Sequence, residues 1–273
     1  MTELMVRRLL IDLEQPVERH WCNGDAFLSA WFNALSMSFP VGEQFFIDSV
    51  RNGFKALPSE QQDQRRDEVQ GFIGQEATHR RIHALFNAQL EKHGLVNEWE
   101  PRARERLRLL EGTDLRHGLD ITAANEHFTA LFAEWMLSHA RLLDGCEPRL
   151  QALWLWHSAE EAEHKCTAFD LYQALGGGYA WRVKWMRRVT WIFLSDTLRQ
   201  TVNNLRHDGT LWRWSTWRSA VRHLLGREGL LRLSYRPWRA YFRPDFHPAQ
   251  QSSDLSARWL RENARLFTPV SAP

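Results

Sequence analysis

The chain has 273 residues, 44% of them hydrophobic, so it is long enough to bury a full core as one large domain or one domain with an appendage. Its net charge of +2 by itself favours no class of partner. The longest apolar runs, such as residues 191–194, fall far short of the roughly 18 residues that span a bilayer, which indicates a protein that is soluble or at most lies on a membrane. An odd number of cysteines, none in Cys-x-x-Cys spacing, and no signal peptide give the cytoplasm as the expected location.

Charge divides the chain in two. Residues 178–273 contain 17 Lys and Arg against 6 Asp and Glu, whereas residues 1–177 contain 18 against 27, so the balances are +11 and −9. A run of three glycines lies at the change and predicts a domain boundary. The expected parts are a bundle over residues 1–178 with an N-terminal arm over 1–22, and a basic, Trp-rich helical extension over 179–273 that packs on the bundle.

The first part is expected to be helices joined by turns. An extended arm precedes a helix that Asn23-Gly24-Asp25 caps and that runs from 26 to about 37. Pro40 and Gly42 then start a new helix or kink the old one, and the pattern resumes over 43–54. Further helices are expected at about 58–93, 119–143 and 149–175, and the polar, Arg-rich stretch 97–109 is expected to be a surface connection.

Two Glu-x-x-His pairs lie in these predicted helices: Glu76 with His79, and Glu161 with His164. Residues three apart lie on one face of a helix, about one turn apart, so a carboxylate and an imidazole can reach the same ion. One such pair is weak evidence, because the spacing also occurs on solvated helix faces. Two pairs in one chain are a stronger indication of a metal site.

A single glutamate lies in the helical segment before each pair, Glu43 before the first and Glu126 before the second. The order Glu, Glu-x-x-His, Glu, Glu-x-x-His is the ligand set of a dinuclear carboxylate site in a four-helix bundle. Glu43 has an alternative role as a first-turn residue that complements a helix dipole. Glu134 is the rival of Glu126, although its late position in the helix is more typical of a solvated residue, and His127 and His139 are expected to be structural.

Three further polar residues lie beside the predicted ligands. His83 is a third metal-binding imidazole, a hydrogen-bond donor behind the ligands, or a core or rim histidine, and the last is expected. His157 shares a face with the second pair. Glu160 either accepts a hydrogen bond from a metal-bound imidazole such as that of His79, which would fix its tautomer, or is a surface charge.

The extension carries 8 of the 14 tryptophans among its basic residues. Helical periods occur at 180–206 and 211–225, and Pro-containing sequences at 235–238 and 243–248 indicate extended or turn structure. The extension can pack on the bundle with its Arg stems over apolar surface, lie on an anionic membrane, or bind nucleic acid. Packing is expected first, and nucleic acid is not an expected partner because no nucleic-acid motif is present.

The predicted ligands also indicate the metal and the chemistry. Four carboxylates and two imidazoles suit Fe or Mn, with Zn as a further option, and no thiolate is placed to select Zn. Burying several acids in one bundle is very costly unless a metal neutralises them. Iron in such a site can take up O2 and oxidise a C–H, C–N or N–H bond, whereas the same pair of ions can instead support hydrolysis.

Four stretches together resemble a bacterial family catalogued as predicted metal-dependent hydrolases, which is grouped with the ferritin-like di-iron proteins: Phe39–Glu43, Gly71–His79, Asn125–His127 and Glu160–His164. The resemblance runs over nearly the whole chain. It implies a ferritin-like fold and six metal ligands, carried over by position: Glu43, Glu76, His79, Glu126, Glu161 and His164.

We therefore expect an all-α, ferritin-like four-helix bundle whose two metal ions, iron before Mn or Zn, oxidise a small or lipid-like organic substrate with O2. A metal-dependent hydrolase is the alternative, and a metal-binding bundle without catalysis is the third hypothesis. The expected partners are a small-molecule substrate, an electron-donor protein, a membrane surface touched by the extension, and a second copy of the chain in a homodimer. Four tryptophans are expected in the core, with the wall of an apolar pocket as the alternative: Trp31, Trp135, Trp154 and Trp156.

Overall fold

The computed structural model describes residues 4–270. Within that range the chain forms ten α-helices and one two-stranded antiparallel sheet, which confirms the predicted all-α class. The elements are β1 (Arg7–Leu9), α1 (Ala26–Lys55), α2 (Ser59–Lys92), α3 (Trp99–Arg108), α4 (Arg116–Ser138), α5 (Pro148–His164), α6 (Thr167–Ala174), α7 (Tyr179–His207), α8 (Trp214–Leu225), α9 (Leu230–Ala240), α10 (Asp254–Glu262) and β2 (Phe267–Pro269), with 3₁₀ turns at Ala140–Leu143, Pro248–Gln250 and Ala264–Leu266.

Four helices pack in a ring. α1 contacts α2 and α4, and α5 contacts α4 and α2. This arrangement is compatible with the ferritin-like bundle, whose details stay a prediction. Among residues 4–270, no helix is long and apolar enough to cross a bilayer.

Helix α1 runs through Pro40 without ending, so the expectation that a new helix starts after Pro40 and Gly42 is wrong. A proline inside a helix leaves the carbonyl four residues earlier without its N–H partner. Here that carbonyl belongs to Ser36, and the side-chain amide of Asn87 donates to it at 3.0 Å. A polar side chain from α2 thus replaces the missing backbone hydrogen bond. The predicted cap is confirmed, since the Asp25 carboxylate accepts from the Leu28 backbone N–H at the start of α1.

The N-terminal arm packs along α2 and meets the end of the chain. β1 pairs with β2 in the register Arg7–Pro269, Arg8–Thr268 and Leu9–Phe267. Two glycines of α2 make the close approach possible, because a Cβ at Gly71 would lie 2.5 Å from the Leu4 side chain and one at Gly74 would lie 2.3 Å from that of Val6. This packing brings the arm beside the helix that carries the first Glu-x-x-His pair.

Three other predicted elements differ from the structure. The stretch expected to be a surface connection at 97–109 contains helix α3. The long helix expected over 149–175 is two helices, α5 and α6, separated at Lys165 and Cys166. The sequence around Pro237, expected to be extended or turn-like, lies in the helix α9, which packs on α4.

The extension covers the bundle. α7 packs on α1 and α4, α9 packs on α4, and α10 packs on α5 and α4. The predicted division of the chain at residue 178 into two domains stays a prediction.

Two apolar clusters fill the core, and the predicted ligands lie between them. On α1, Met37 belongs to the first cluster and Phe46 to the second, with Glu43 between them in sequence. On α4, Glu126 likewise falls between Ala124 of the second cluster and Trp135 of the first. The ligand positions therefore form a polar layer across an otherwise apolar core. The four tryptophans expected in the core are all buried in the first cluster.

Candidate metal centre

The structure brings the six predicted ligands into one buried layer, which we call the metal centre: Glu43 from α1, Glu76 and His79 from α2, Glu126 from α4, and Glu161 and His164 from α5. None has more than 4% of its surface exposed. Two groups of side chains place one donor atom each within 4.8 Å of one another, and both groups contain His79: Glu76, His79, Glu161 and His164, and Glu43, His79 and His157.

Glu161 lies between the two predicted imidazole ligands. Its Oε1 atom is 3.3 Å from Nδ1 of His79 and 3.5 Å from Nε2 of His164. On its other edge, the His164 ring has Nδ1 at 3.2 Å from Oε2 of Glu126 and 3.6 Å from Oε1 of Glu76. Glu161 could therefore act, together with either imidazole, as a donor to a metal ion.

Most donor atoms of the metal centre are buried without a hydrogen-bond partner among residues 4–270. Ten such atoms belong to the six ligands: both oxygens of Glu43, Glu76 and Glu126, Oε2 of Glu161, Nδ1 of His79, and both ring nitrogens of His164. Buried polar atoms are normally hydrogen-bonded, and leaving one unpaired costs about 1–3 kcal/mol. Carboxylate oxygens and imidazole nitrogens are suitable donors for Fe, Mn or Zn. The donor set therefore fits divalent metal ions.

Burial changes the protonation of this centre. It raises the pKa of Glu43 and of Glu76 well above the ordinary carboxyl value, and it raises that of Glu126 to about 7 although the nearby His164 opposes the shift. Burial would also raise the pKa of Glu161, but His164 and hydrogen bonds from imidazoles outweigh it and hold the pKa well below the usual range. Burial lowers the pKa of His79, yet Glu160 and Glu161 bring it to about 9. Without metal, Glu43, Glu76 and His79 therefore retain protons that an ion would displace.

An ion-paired carboxylate orients His79. Nε2 of His79 lies 2.9 Å from Oε2 of Glu160, so the ring turns Nδ1 towards Glu161. Oε1 of Glu160 accepts from Arg7 at 3.0 Å, and Arg7 also donates to Glu163 at 2.7 Å. The contact between Glu160 and His79 is the one that the sequence suggested, whereas Arg7 was missed because 153 residues separate it from Glu160. Glu163, three residues further along α5, accepts hydrogen bonds from Arg7 and Gln75.

A chain of hydrogen bonds leads away from the other side of Glu161. Nε2 of His157 lies 2.9 Å from Oε1 of Glu161, and Nδ1 of His157 lies 2.7 Å from Nε2 of His83. The Ser36 hydroxyl then lies 2.9 Å from Nδ1 of His83. Burial lowers the pKa of His157 to about 4 and that of His83 well below its ordinary value, so both rings are neutral. His83 therefore supports His157, which is itself close to Glu161 and, at 3.8 Å, to Glu43.

The other candidate residues lie outside the centre. Glu134, the rival of Glu126, is exposed. His127 is buried against Tyr241 and Phe246, with ring centroids 4.9 and 5.3 Å away, and His139 contacts Trp135. Both histidines therefore pack against aromatic side chains, as is typical of histidines with a structural role.

An apolar cleft of about 550 Å³ lies between α1, α3, α4 and α7. Gly42 and Asn125, which directly precede the predicted ligands Glu43 and Glu126, line it. Phe39 also lines the cleft, and its ring centroid is 4.5 Å from that of His83 and 4.6 Å from that of His157. The cleft therefore adjoins the metal centre. A larger cleft of about 880 Å³ beside β1 is lined by the face of α2 opposite the ligands.

The fold and the site define an all-α protein with a buried cluster of glutamates and histidines that could bind metal. A family model described as predicted metal-dependent hydrolase matches residues 5–252, and the chain belongs to this family. No curated protein and no solved structure matches the chain.

Proposed function

We propose that the protein is a hydrolase that uses two divalent metal ions held in the metal centre. The observation that carries this proposal is the set of ten unpartnered donor atoms on six buried side chains. Membership in a family described as predicted metal-dependent hydrolases supports hydrolysis over the O2-dependent oxidation that we expected first.

The six ligands have distinct places around the ions. Glu43, Glu76 and His79 would hold one ion, and Glu126, Glu161 and His164 the other, with Glu161 between the two imidazoles. Divalent ions in this position supply Lewis-acid activation of water and of the scissile group. Glu160 and Arg7 hold the His79 ring in place, and partners of this kind normally fix the tautomer and orientation of a metal-binding imidazole.

The adjoining cleft indicates an apolar substrate. Its walls include Phe45, Phe46, Ile192 and Phe193, which would bury a hydrocarbon portion and exclude water. His117 and Arg188 line the same cleft. His117 lies nine residues before Glu126 on α4, roughly 13 Å along the helix axis. A substrate with its apolar body in the cleft would place its reacting bond near Glu126 and a polar end group near His117.

Oxidation with O2 is the second candidate function. It is favoured by the donor set itself, because the order Glu, Glu-x-x-His, Glu, Glu-x-x-His is that of dinuclear carboxylate bundles with iron or manganese. It would require iron, O2 and an electron-donor protein.

The test is hydrolysis by protein that has been stripped of metal and reloaded with Zn, Mn or Fe(II). The substrates are 4-nitrophenyl esters with acyl chains of increasing length, assayed without O2, and O2 uptake is measured separately. We expect ester cleavage that requires a metal, proceeds without O2, and is faster with longer acyl chains because the cleft is apolar.

Two variants serve as controls. Glu161→Gln keeps the size of the side chain but removes the charge, and we expect it to lose hydrolysis. Glu134→Gln changes an exposed glutamate on α4 and should leave the rate unchanged. Equal rates with and without metal would contradict the proposal, and O2 uptake by the Fe(II) protein without ester cleavage would favour the oxidase.

A further inference from the structure

The segment over residues 212–239, which we call the α8–α9 surface, exposes large apolar side chains. Trp212 is 91% exposed and Trp214 is 78% exposed. The remaining large apolar side chains that are exposed on this segment are Trp217, Val221, Leu225, Leu231, Leu233 and Tyr235. Single exposed apolar residues are ordinary, but a group of this size in one segment indicates an interaction site.

Helix α8 buries small side chains and exposes several large ones, while Leu224 is partly buried against the first apolar cluster. Its only fully buried residues are Thr216 and Ala220. Trp214, Val221 and Leu225 follow one another at intervals of seven and four residues and form one exposed stripe. An amphipathic helix normally buries its apolar side chains, but no residue within 4–270 covers this stripe, which leaves it available to a partner.

Positive charge surrounds these apolar side chains. The α8–α9 surface contains seven arginines and one acidic residue, Glu228, which gives a formal charge of +6. All seven arginines are exposed, and no carboxylate within residues 4–270 lies at ion-pair distance from them. Arg218 and Arg222, four residues apart, flank the apolar stripe of α8.

We propose that the α8–α9 surface binds an anionic lipid bilayer. Tryptophan combines a large apolar ring with a polar N–H and prefers the boundary between headgroups and acyl chains. A helix with Trp and Leu on one face and Arg beside them lies in the plane of this boundary with its apolar face inserted. Each arginine near an anionic surface adds attraction, because the headgroups carry the opposite charge.

Two other partners fit this surface less well. A second copy of the chain would bring the same seven arginines together across a two-fold interface, where like charges repel. Single-stranded nucleic acid is bound by aromatic platforms on which bases stack, but half of the exposed apolar residues here are aliphatic. The bilayer satisfies both the apolar and the cationic groups, and this inference does not depend on the reaction proposed above.

The experiment is sedimentation of the purified full chain with two kinds of vesicle, one of phosphatidylcholine alone and one of phosphatidylcholine mixed with phosphatidylglycerol. We expect binding to the anionic vesicles that weakens as salt is raised. The charge variant Arg218→Glu/Arg222→Glu should weaken binding by about tenfold or more. The apolar variant Trp212→Ser/Trp214→Ser changes two highly exposed residues and should weaken it similarly.

The matched control is Arg104→Glu/Arg108→Glu, which reverses two exposed arginines with the same spacing on α3 and should bind like the native chain. Circular dichroism establishes that every variant is folded. Failure to bind anionic vesicles would overturn the proposal, as would equal binding to anionic vesicles by the charge variant and the native chain. Dimerisation or DNA binding that the same variants abolish, without vesicle binding, would assign the surface to those partners instead.

Discussion

The metal centre and the α8–α9 surface depart from the usual distribution of side chains in opposite directions. In the metal centre, four glutamates and two histidines are buried, and ten of their donor atoms lack a partner among residues 4–270. On the α8–α9 surface, tryptophans and leucines lie in solvent while threonine and alanine face the protein. The metal centre thus buries charged side chains and the α8–α9 surface exposes apolar ones, which is the reverse of the usual distribution in a folded protein.

Both departures are costly for an isolated chain, and each indicates a partner that removes the cost. Buried carboxylates are stabilised when divalent ions neutralise them. Exposed apolar side chains are stabilised when a bilayer covers them. The two regions differ in their expected contribution to stability. The metal centre lies inside the core, whereas we expect substitution of the exposed side chains on the α8–α9 surface to have little effect on the fold.

The largest expected effect tests the cost of burying acids in the metal centre. Glu76→Gln removes one buried carboxyl group and one ligand. We expect the metal-loaded variant to lose several kcal/mol of stability, because metal binding contributes to folding. The metal-free variant should instead be more stable at neutral pH than the metal-free native chain by about 1–3 kcal/mol, because burial raises the pKa of Glu76 and folding must protonate it, whereas glutamine does not ionise.

Denaturant unfolding with and without a chelator measures both differences. Glu68→Gln, on the same helix and outside the centre, is the control and should change neither state. The same loss of stability in both states would mean that Glu76 has only a structural role.

The next prediction contrasts the metal centre with a buried acid outside it. Asp120 on α4 is fully buried, both of its oxygens lack a hydrogen-bond partner among the described residues, and burial raises its pKa to about 7. The folded state therefore binds a proton more tightly than the unfolded state, whose pKa is about 3.9, so stability falls as the pH rises from about 4 to 7. Asp120→Asn removes this loss. As the pH is raised from about 4.5 to about 8, the free energy of unfolding of the variant should increase by about 2–4 kcal/mol relative to that of the native chain.

Unfolding at several pH values checks this difference. Asp196, a buried carboxylate that accepts from Arg102 and Arg106, is the matched control. Asp196→Asn should destabilise the chain at neutral pH, because it breaks a buried ion pair. An Asp120→Asn gain that did not vary with pH would show that titration of Asp120 is not its cause.

A smaller effect is expected from the residues that support the metal centre. Arg7→Ala leaves Glu160 without its cation and should lower metal affinity about 10–100-fold, as loss of a partner behind a metal-binding imidazole typically does. Arg149→Ala is the control, because Arg149 also holds the arm in place, by donating hydrogen bonds to the backbone carbonyls of Asp12, Gln15 and Pro16. Competition with a coloured chelator measures both affinities. Equal losses in the two variants would assign the effect of Arg7 to the arm as a whole.

The smallest effect is expected at the α8–α9 surface. Trp212→Ser/Trp214→Ser should change the stability of the free chain by no more than about 0.5 kcal/mol and leave metal content unchanged, because both side chains lie in solvent. Thermal unfolding without vesicles gives the result. A large loss of stability would show that these tryptophans pack on the chain.

The sequence predicted the composition of the metal centre better than its surroundings. A helix places residues three apart on one face, so Glu161 and His164 could be paired from spacing alone. The contact that orients His79 depends on the tertiary structure, because Arg7 reaches Glu160 across 153 residues. Whether six side chains facing one layer bind metal stays a prediction.

The helix boundaries show the same limit. Pro40 correctly signals a missing backbone hydrogen bond, but the side chain that replaces it, Asn87, lies in the next helix. The amphipathic pattern of α8 predicted a helix, yet a pattern cannot tell whether its apolar face is turned inward or outward. Only the packing of Thr216 and Ala220 against the protein decides that Trp214 is exposed.

The metal content of the native chain tests the central claim most directly. The purified protein is stripped with a chelator, reloaded with Fe, Mn or Zn, and analysed for metal per chain, and its unfolding is followed in the stripped and the loaded state. We predict two ions per chain and a clear rise in stability on loading. A chain that takes up no metal, and whose stability a chelator leaves unchanged, would contradict the account.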